Sequence, residues 1–322
     1  MSVKETNLIL SITSIDDLMR CINLASLLEL SGWPKPGNVH RTKDFEDTRF
    51  EHFLSGIAAI QPNFRRFCTK IFDTPHKENY SFIEMGFFFR ETVEQMMSWQ
   101  SGGNVLLGHI LILAPLTAAV TLCLKFNANK LPDFKYYLNK IIEESTVDDA
   151  INLYEAIRLC NPGGLGKINK YDINNENALK ELRNDKITLK KIFDLSKDND
   201  LISSEYSSGF KIIVNEGLPY LLQMYKVFED PNIATVNTFL KILSDHPDSL
   251  IIRKSGVDSA HFVSEFAHKI MQEGGISSQK GLELTIELDR KLQEKKGKMN
   301  PGTTADLVAG ILFCALIFGL RI

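Results

Sequence analysis

Val105 to Leu124 is twenty residues long and carries no Asp, Glu, Lys or Arg. A helix of that length rises about 30 Å and is long enough to cross a bilayer. In a water-soluble chain it must instead be covered by protein on every side. Pro115 interrupts the run, His109, Thr117 and Thr121 dot it, and no cluster of Lys or Arg beside it would fix an orientation. These features favour a central helix enclosed by others over a membrane span. A second apolar run, Leu307 to Leu320, has fourteen residues and is short for a span.

The rest of the chain supplies the enclosing helices. Leu18, Ile22, Ala25 and Leu28 form one apolar stripe, and Phe50, Phe53, Leu54, Ile57 and Ala58 another, both at three- and four-residue steps. Strand alternation is almost absent. Ser14 before Asp17, Ser81 before Glu84 and Thr146 before Asp149 are each able to cap a helix start. The pattern predicts helices over 14–31, 47–60, 82–100, 105–125, 147–160, 201–216, 232–244, 257–273, 278–295 and 303–319, with short helices in the gaps. The polar segment from Gly166 to Asp200 reads as surface loops with a short helix. With no linker or repeat to divide it, the chain is expected to be all-α: one domain over 1–322, an irregular multi-helix bundle with buried apolar central helices.

Charge and cysteine usage narrow the function classes. A formal charge of -3 argues against a nucleic-acid-coating protein, so an anionic ligand must be held by local groups. Five cysteines without close CxxC spacing suggest neither a disulfide framework nor a zinc cluster. Met1 to Asn7 makes a poor signal peptide. A cytoplasmic protein is expected, compatible with a homo-oligomer.

Five places could carry chemistry. Trp33-Pro34-Lys35-Pro36-Gly37-Asn38-Val39-His40 lies between two periodic helices, stiffened by two prolines. Alone it fits either a tight corner or a ligand clamp presenting Lys35, Asn38 and His40. Asp44, Glu46 and Asp47 follow at a helix start, where negative charge suits the helix dipole. Asp44 and Asp47 could instead share a Mg²⁺ with waters and substrate phosphates. Gln100-Ser101-Gly102-Gly103-Asn104 breaks two helices, and amides there could meet a phosphate, with Glu91, Glu94 and Gln95 leading in. Thr303 and Asp306 in Asn300-Pro301-Gly302-Thr303-Thr304-Ala305-Asp306 resemble a capping pair, or a grip on ribose or metal-bound water. Asp248 to Gly256 sets Arg253 and Lys254 near an aspartate, as surface charge or as triphosphate contacts. His109, on the apolar helix, reads as a hydrogen-bonded core residue. No HExxH, P-loop or nucleophile elbow is present, which disfavours covalent catalysis.

In this order the motifs resemble the triphosphoribosyl-dephospho-CoA synthase family, over nearly the whole chain. Glu29 with Pro34-Lys35-Pro36-Gly37 is similar to the family's Glu and PKPG loop, and Asp44 to Asp47 to its acidic stretch. Glu94-Gln95 and Asn104 are similar to its Glu-Gln pair and later asparagine. Asp248 to Gly256 resembles its Asp-Thr-Asn segment ending in Arg-Gly-Gly, and Pro301-Gly302 to Asp306-Leu307 its Pro-Gly-Gly-Ser-Ala-Asp-Leu.

The resemblance implies an all-helical transferase. It would join the ribosyl carbon of ATP to the 2′-hydroxyl of 3′-dephospho-CoA and release adenine, making a precursor of the prosthetic group of citrate lyase and malonate decarboxylase. It further implies Mg²⁺ on Asp44 and Asp47, Lys35 and Arg253 against the triphosphate, and one carboxylate among Glu29, Asp44, Asp47, Glu94 and Asp306 assisting the hydroxyl. Pro36, Gly37, Asn38, His40, Gly102, Gly103, Asn104, Asp248, Lys254, Gly302, Thr303 and Thr304 complete the implied substrate contacts.

The bacterial Gly-Val-Asn-Thr-His-Lys-Gly is replaced here by Gly102-Gly103-Asn104-Val105-Leu106-Leu107-Gly108. This departure resembles a divergent, archaeal-type branch, and implies either recruitment of His40 and Lys254 or a related reaction. The competing readings are a Mg²⁺-dependent transferase or hydrolase of another phosphoribosyl compound, and a non-catalytic helical binding or membrane-associated protein.

Overall fold

The computed structural model describes residues 8–75, 77–161 and 170–322. The expectations for Met1 to Asn7 and for 166–169 lie outside the described residues. Among the described residues the protein is all-α, with fifteen α-helices, 71% helix and no strand.

The caps read from sequence hold at two starts and fail at a third. Ser14 accepts from Asp17 N ahead of α1, Ile15–Ser31. Thr146 and Asp149 form a capping box ahead of α6, Val147–Cys160. Ser81, however, opens a single 3₁₀ turn and Glu84 turns left-handed at φ 53°, so α3 is Met85–Ser98. Asp149 takes on that start as well, accepting from Gly86 N at 2.8 Å, where a Cβ on Gly86 would overlap the Asp149 backbone.

The second helix, α2, runs Phe50–Asp73, straight through Pro62 and well past the expected end. Pro62 and Ala58 both face solvent, so the carbonyl freed by the missing N–H is accessible to water.

The apolar run becomes α4, Leu107–Lys125, and 89% of its apolar window is buried inside the protein. Its Pro115 frees the Leu111 carbonyl, which the buried Tyr206 hydroxyl takes at 2.6 Å. Beside α4 lies α15, Gly302–Ile317, also apolar on all sides. The two run parallel: Gly108 lies under Asp306, and a turn later Gly310 lies against Ile112. Both glycines stand where a Cβ would overlap the facing helix, and this close approach builds the site. Around the pair pack α1, α2, α3 and α5, Leu131–Glu143, an amphipathic helix the periodicity reading missed.

The polar middle holds two short helices rather than one, α7, Ala178–Asn184, and α8, Leu189–Ser196. The expected helix 201–216 is split by left-handed Gly209 into α9, Leu201–Ser208, and a π-helix, Ile212–Gly217, which leads into α10, Leu218–Phe228. Then follow α11, Pro231–Asp245, α12, Ser249–Ser255, α13, Val257–Gln272, and α14, Gln279–Gln293. Buried apolar side chains from α1 through α15 form one connected cluster.

Candidate active site

Four ionisable side chains from α1, the proline-rich loop, α4 and α15 meet in the interior with alternating charge. The Lys35 ammonium donates to the Glu29 carboxylate and, at 2.7 Å, to the Glu29 carbonyl. Glu29 Oε2 lies 3.4 Å from His109 Nε2, and His109 Nδ1 lies 2.6 Å from Asp306 Oδ1. Lys35, Glu29 and His109 side chains are 2–4% exposed, whereas that of Asp306 is 18% exposed. The row therefore has one open end. A Cβ on Gly108 would overlap the Asp306 carboxylate, so glycine is a steric requirement at that position.

The electrostatics follow from the pairing. Burial alone would raise the Glu29 pKa, but Lys35 and His109 win and hold it below the usual carboxylate range. Burial would lower His109, yet its hydrogen bonds to Asp306 and Glu29 raise it to about 9. Asp306 is raised by burial against the opposing pull of His109, with Glu29 and Asp200 adding to the rise.

The proline-rich loop is held from outside by α14. Asp289 Oδ1 accepts from Gly37 N at 2.9 Å, Gln293 donates to the Asn38 carbonyl at 2.8 Å, and His40 Nε2 lies 3.2 Å from Asp289 Oδ2. Gly37 has φ 74° and packs against Leu292, so no side chain fits there. Pro36 is buried beside it, and its carbonyl accepts from the buried Asn38 at 3.4 Å. The loop is anchored to α14, and its Lys35 faces inward. Lys35, expected at the triphosphate, is instead consumed by Glu29, since a buried ammonium requires a partner. His40 serves to dock the loop.

Asp248 joins two helix starts. Its carboxylate accepts from Leu250 N and Ile251 N of α12 and from Thr304 N and Oγ1 of α15, at 2.7–3.1 Å. Burial pushes it up to about 6 in spite of those bonds. Thr303 accepts from Ser249 Oγ at 3.1 Å, and a Cβ on Gly302 would press on Leu250. The expected capping pair of Thr303 and Asp306 is therefore absent: Asp248 caps α15, which leaves Asp306 for His109.

Arg253 stands at this corner, 2.6 Å from Asp200, with its side chain 30% exposed. Lys254 donates to the Gly297 carbonyl at 3.3 Å, and partial burial and the adjacent Arg253 lower its pKa.

The remaining expected residues lie elsewhere. Glu94 is half exposed on α3, 4.0 Å from Arg90, which itself binds Glu155. Asp44 caps α2 by accepting from Phe50 N at 2.8 Å, and Asp47 is exposed and accepts from Thr48. No group of three His, Cys, Asp or Glu side chains suited to a metal occurs among the described residues. Asn104 Oδ1 accepts from Leu107 N at 3.1 Å at the start of α4. Gln100 shapes the turn before it through Gly102 N and the Gly103 carbonyl, and the His52 ring occupies the space where a Gly102 side chain would sit. Gly103, at φ 75°, opens onto free space.

Sequence reasoning missed His109 as a site residue, although a signal existed. Within Val105 to Leu124 it is the one acidic or basic side chain, and a lone such group in an enclosed helix demands partners.

Several similarities bear on this geometry. Residues 15–321 match the family described as ATP:dephospho-CoA triphosphoribosyl transferase (CitG). The 2-(5''-triphosphoribosyl)-3'-dephosphocoenzyme-A synthase of Klebsiella pneumoniae is 28% identical over 105 residues, which is 33% of this chain and 34% of that protein. A Salmonella gallinarum protein assigned the same activity is 27% identical over 105 residues, again 34% of its length. The chain thus spans about a third of the length of the curated relatives it matches. A crystal structure from Archaeoglobus fulgidus, assigned as a triphosphoribosyl-dephospho-CoA synthase, superposes with a TM-score of 0.63 at 26% identity, covering 83% of this chain and 100% of that one. Because the family match begins at the first residue of α1 and runs past the end of α15, taking in every residue of the buried charge row, the chain belongs to the ATP:dephospho-CoA triphosphoribosyl transferase family.

Proposed function

We propose that this protein transfers the triphosphoribosyl group of ATP to the 2′-hydroxyl of 3′-dephospho-CoA and releases adenine. The observation that carries the reading is Asp306, a carboxylate fixed by His109 inside the protein yet reachable from outside, with Arg253 and Lys254 at the same corner. In the transfer, the acceptor oxygen bonds to the ribose C1′ as the bond from C1′ to the adenine nitrogen breaks. Adenine leaves with that electron pair and takes a proton from water, while the hydroxyl proton passes to Asp306. The same carboxylate stabilises positive charge growing on the ribose carbon. Arg253 and Lys254 offset the triphosphate charge, and the open turn at Gly103 leaves room beside the start of α4.

The carboxylates expected to hold Mg²⁺ do not form a cage: Asp44 is used as a helix cap, and Asp47 is exposed and accepts from Thr48. All five cysteines are free and buried, which supports a cytoplasmic, reducing location.

Incubation with ATP, dephospho-CoA and magnesium should yield adenine and the adduct in equal amounts, read by mass spectrometry. Asp306→Asn should lower turnover by about 10²–10⁴-fold. Adenine without adduct would turn the reading into hydrolysis, and the absence of both products would overturn it.

A further inference from the structure

We infer that His109 is a positioning residue: held as an imidazolium between Glu29 and Asp306, it keeps the Asp306 carboxylate ionised and aimed at the acceptor hydroxyl. The inference rests on the reading of Asp306 as the proton acceptor and adds the group that makes it one.

The geometry carries the argument. Each ring nitrogen of His109 faces a carboxylate, at 2.6 Å for Nδ1 and 3.4 Å for Nε2. A neutral imidazole has only one N–H, so its bare nitrogen would direct a lone pair at one of those oxygens. With both carboxylates ionised, only the doubly protonated ring satisfies both sides. The charge balance agrees: Lys35 and His109 are positive, Glu29 and Asp306 negative, and the group sums to zero in a site that excludes most water. A neutral His109 would leave an uncompensated negative charge, and one carboxylate would have to take up a proton.

Among the described residues, few charged groups face the row. They are Glu29 on α1, Lys35 on the loop, Asp306 on α15 and Asp200 at the start of α9, the last already matched by Arg253 of α12. The raised affinity of His109 for its proton agrees with this arrangement.

Two measurements test the inference. The first needs no activity: NMR titration of the intact protein, with the His109 resonances identified from their loss in His109→Asn. Both ring nitrogens should remain protonated at pH 7.5. A neutral ring at that pH overturns the inference whether or not the protein turns over ATP.

The second is the pH profile of kcat/KM for adenine release in His109→Asn and His109→Gln. These replace, respectively, the donor toward Asp306 and the donor toward Glu29 with a neutral one. With the cation gone, the acid limb should move upward by about 1–3 pH units, in line with the loss of an adjacent opposite charge. KM for ATP should change by less than about twofold, because His109 stabilises the reacting step rather than the bound nucleotide. An unmoved acid limb in folded variants overturns the inference and leaves the transferase reading intact. Absence of adenine and adduct from the wild type fails that reading alone, and the titration still decides His109.

Discussion

Two buried carboxylates on helices that pack against α15, Glu29 on α1 and Glu205 on α9, behave in opposite ways. Glu29, beside the start of α15, has a lysine and a histidine as partners and a lowered pKa. Glu205, close to Cys314 farther along, is just as buried, but its oxygens accept only from Ile212 N and Ile213 N, at 2.8 and 2.9 Å. Its pKa is pushed up to about 8 by burial, with Glu216 adding to the rise and Lys211 and the two amides opposing it. Glu205 pins the start of the π-helix, and at neutral pH it holds its proton. Two backbone amides satisfy the hydrogen bonds of Glu205 without keeping it ionised, whereas the opposite charges of Lys35 and His109 do keep Glu29 ionised.

Removing the cation should make the first region resemble the second. Lys35→Met leaves Glu29 with His109 alone, and breaking a buried ion pair from one side costs about 3–5 kcal/mol. Urea unfolding at pH 7 should show that loss, and it should shrink at pH 5, where Glu29 can discharge by taking up a proton. A loss that is the same at both pH values would mean that packing, not charge, is what Lys35 contributes.

The second region makes its own prediction. In the folded protein Glu205 releases its proton near pH 8, against about 4.5 for an unperturbed side chain. Between those values the folded state holds a proton that the unfolded state has lost. Its contribution to stability is therefore full below about pH 4.5 and declines as pH rises toward 8, by a few kcal/mol in order of magnitude. Glu205→Gln cannot accept from both amides, so it should be less stable at pH 5, with a deficit that narrows toward pH 8. A deficit independent of pH would show that Glu205 is charged throughout and that the contrast with Glu29 is false.

The sequence announces features that depend on near neighbours. The enclosed helix α4, the caps at Ser14 and Thr146, and the stiff corner at Pro34 to Asn38 could all be read directly, because each rests on contacts within a few residues. α2 outruns its expected end at residue 60, continuing through Pro62, where the carbonyl freed by the proline faces solvent. Long-range pairings were hidden. Thr303 and Asp306 have the spacing of a capping pair, but Asp248, far back in the chain, takes the Thr304 amide. That substitution frees Asp306 to meet His109, and nothing local foretells it. The loop is legible as a stiff corner or a clamp, but not that Lys35 turns in to Glu29 while His40 turns to Asp289.

The smallest effects distinguish the row from the acidic residues that share only its sequence signature. Asp44 caps α2 through Phe50 N, so Asp44→Ala should cost about 1 kcal/mol in thermal or urea unfolding. Glu94 is half exposed and reaches Arg90 only at 4.0 Å, so Glu94→Ala should change stability by less than about 0.5 kcal/mol. If the charge row is the whole of the proton-transfer apparatus, adenine release should also be unchanged in Glu94→Ala. A large fall in turnover with normal folding would place a second carboxylate at the reaction and extend the site across α3, toward the open turn at Gly103.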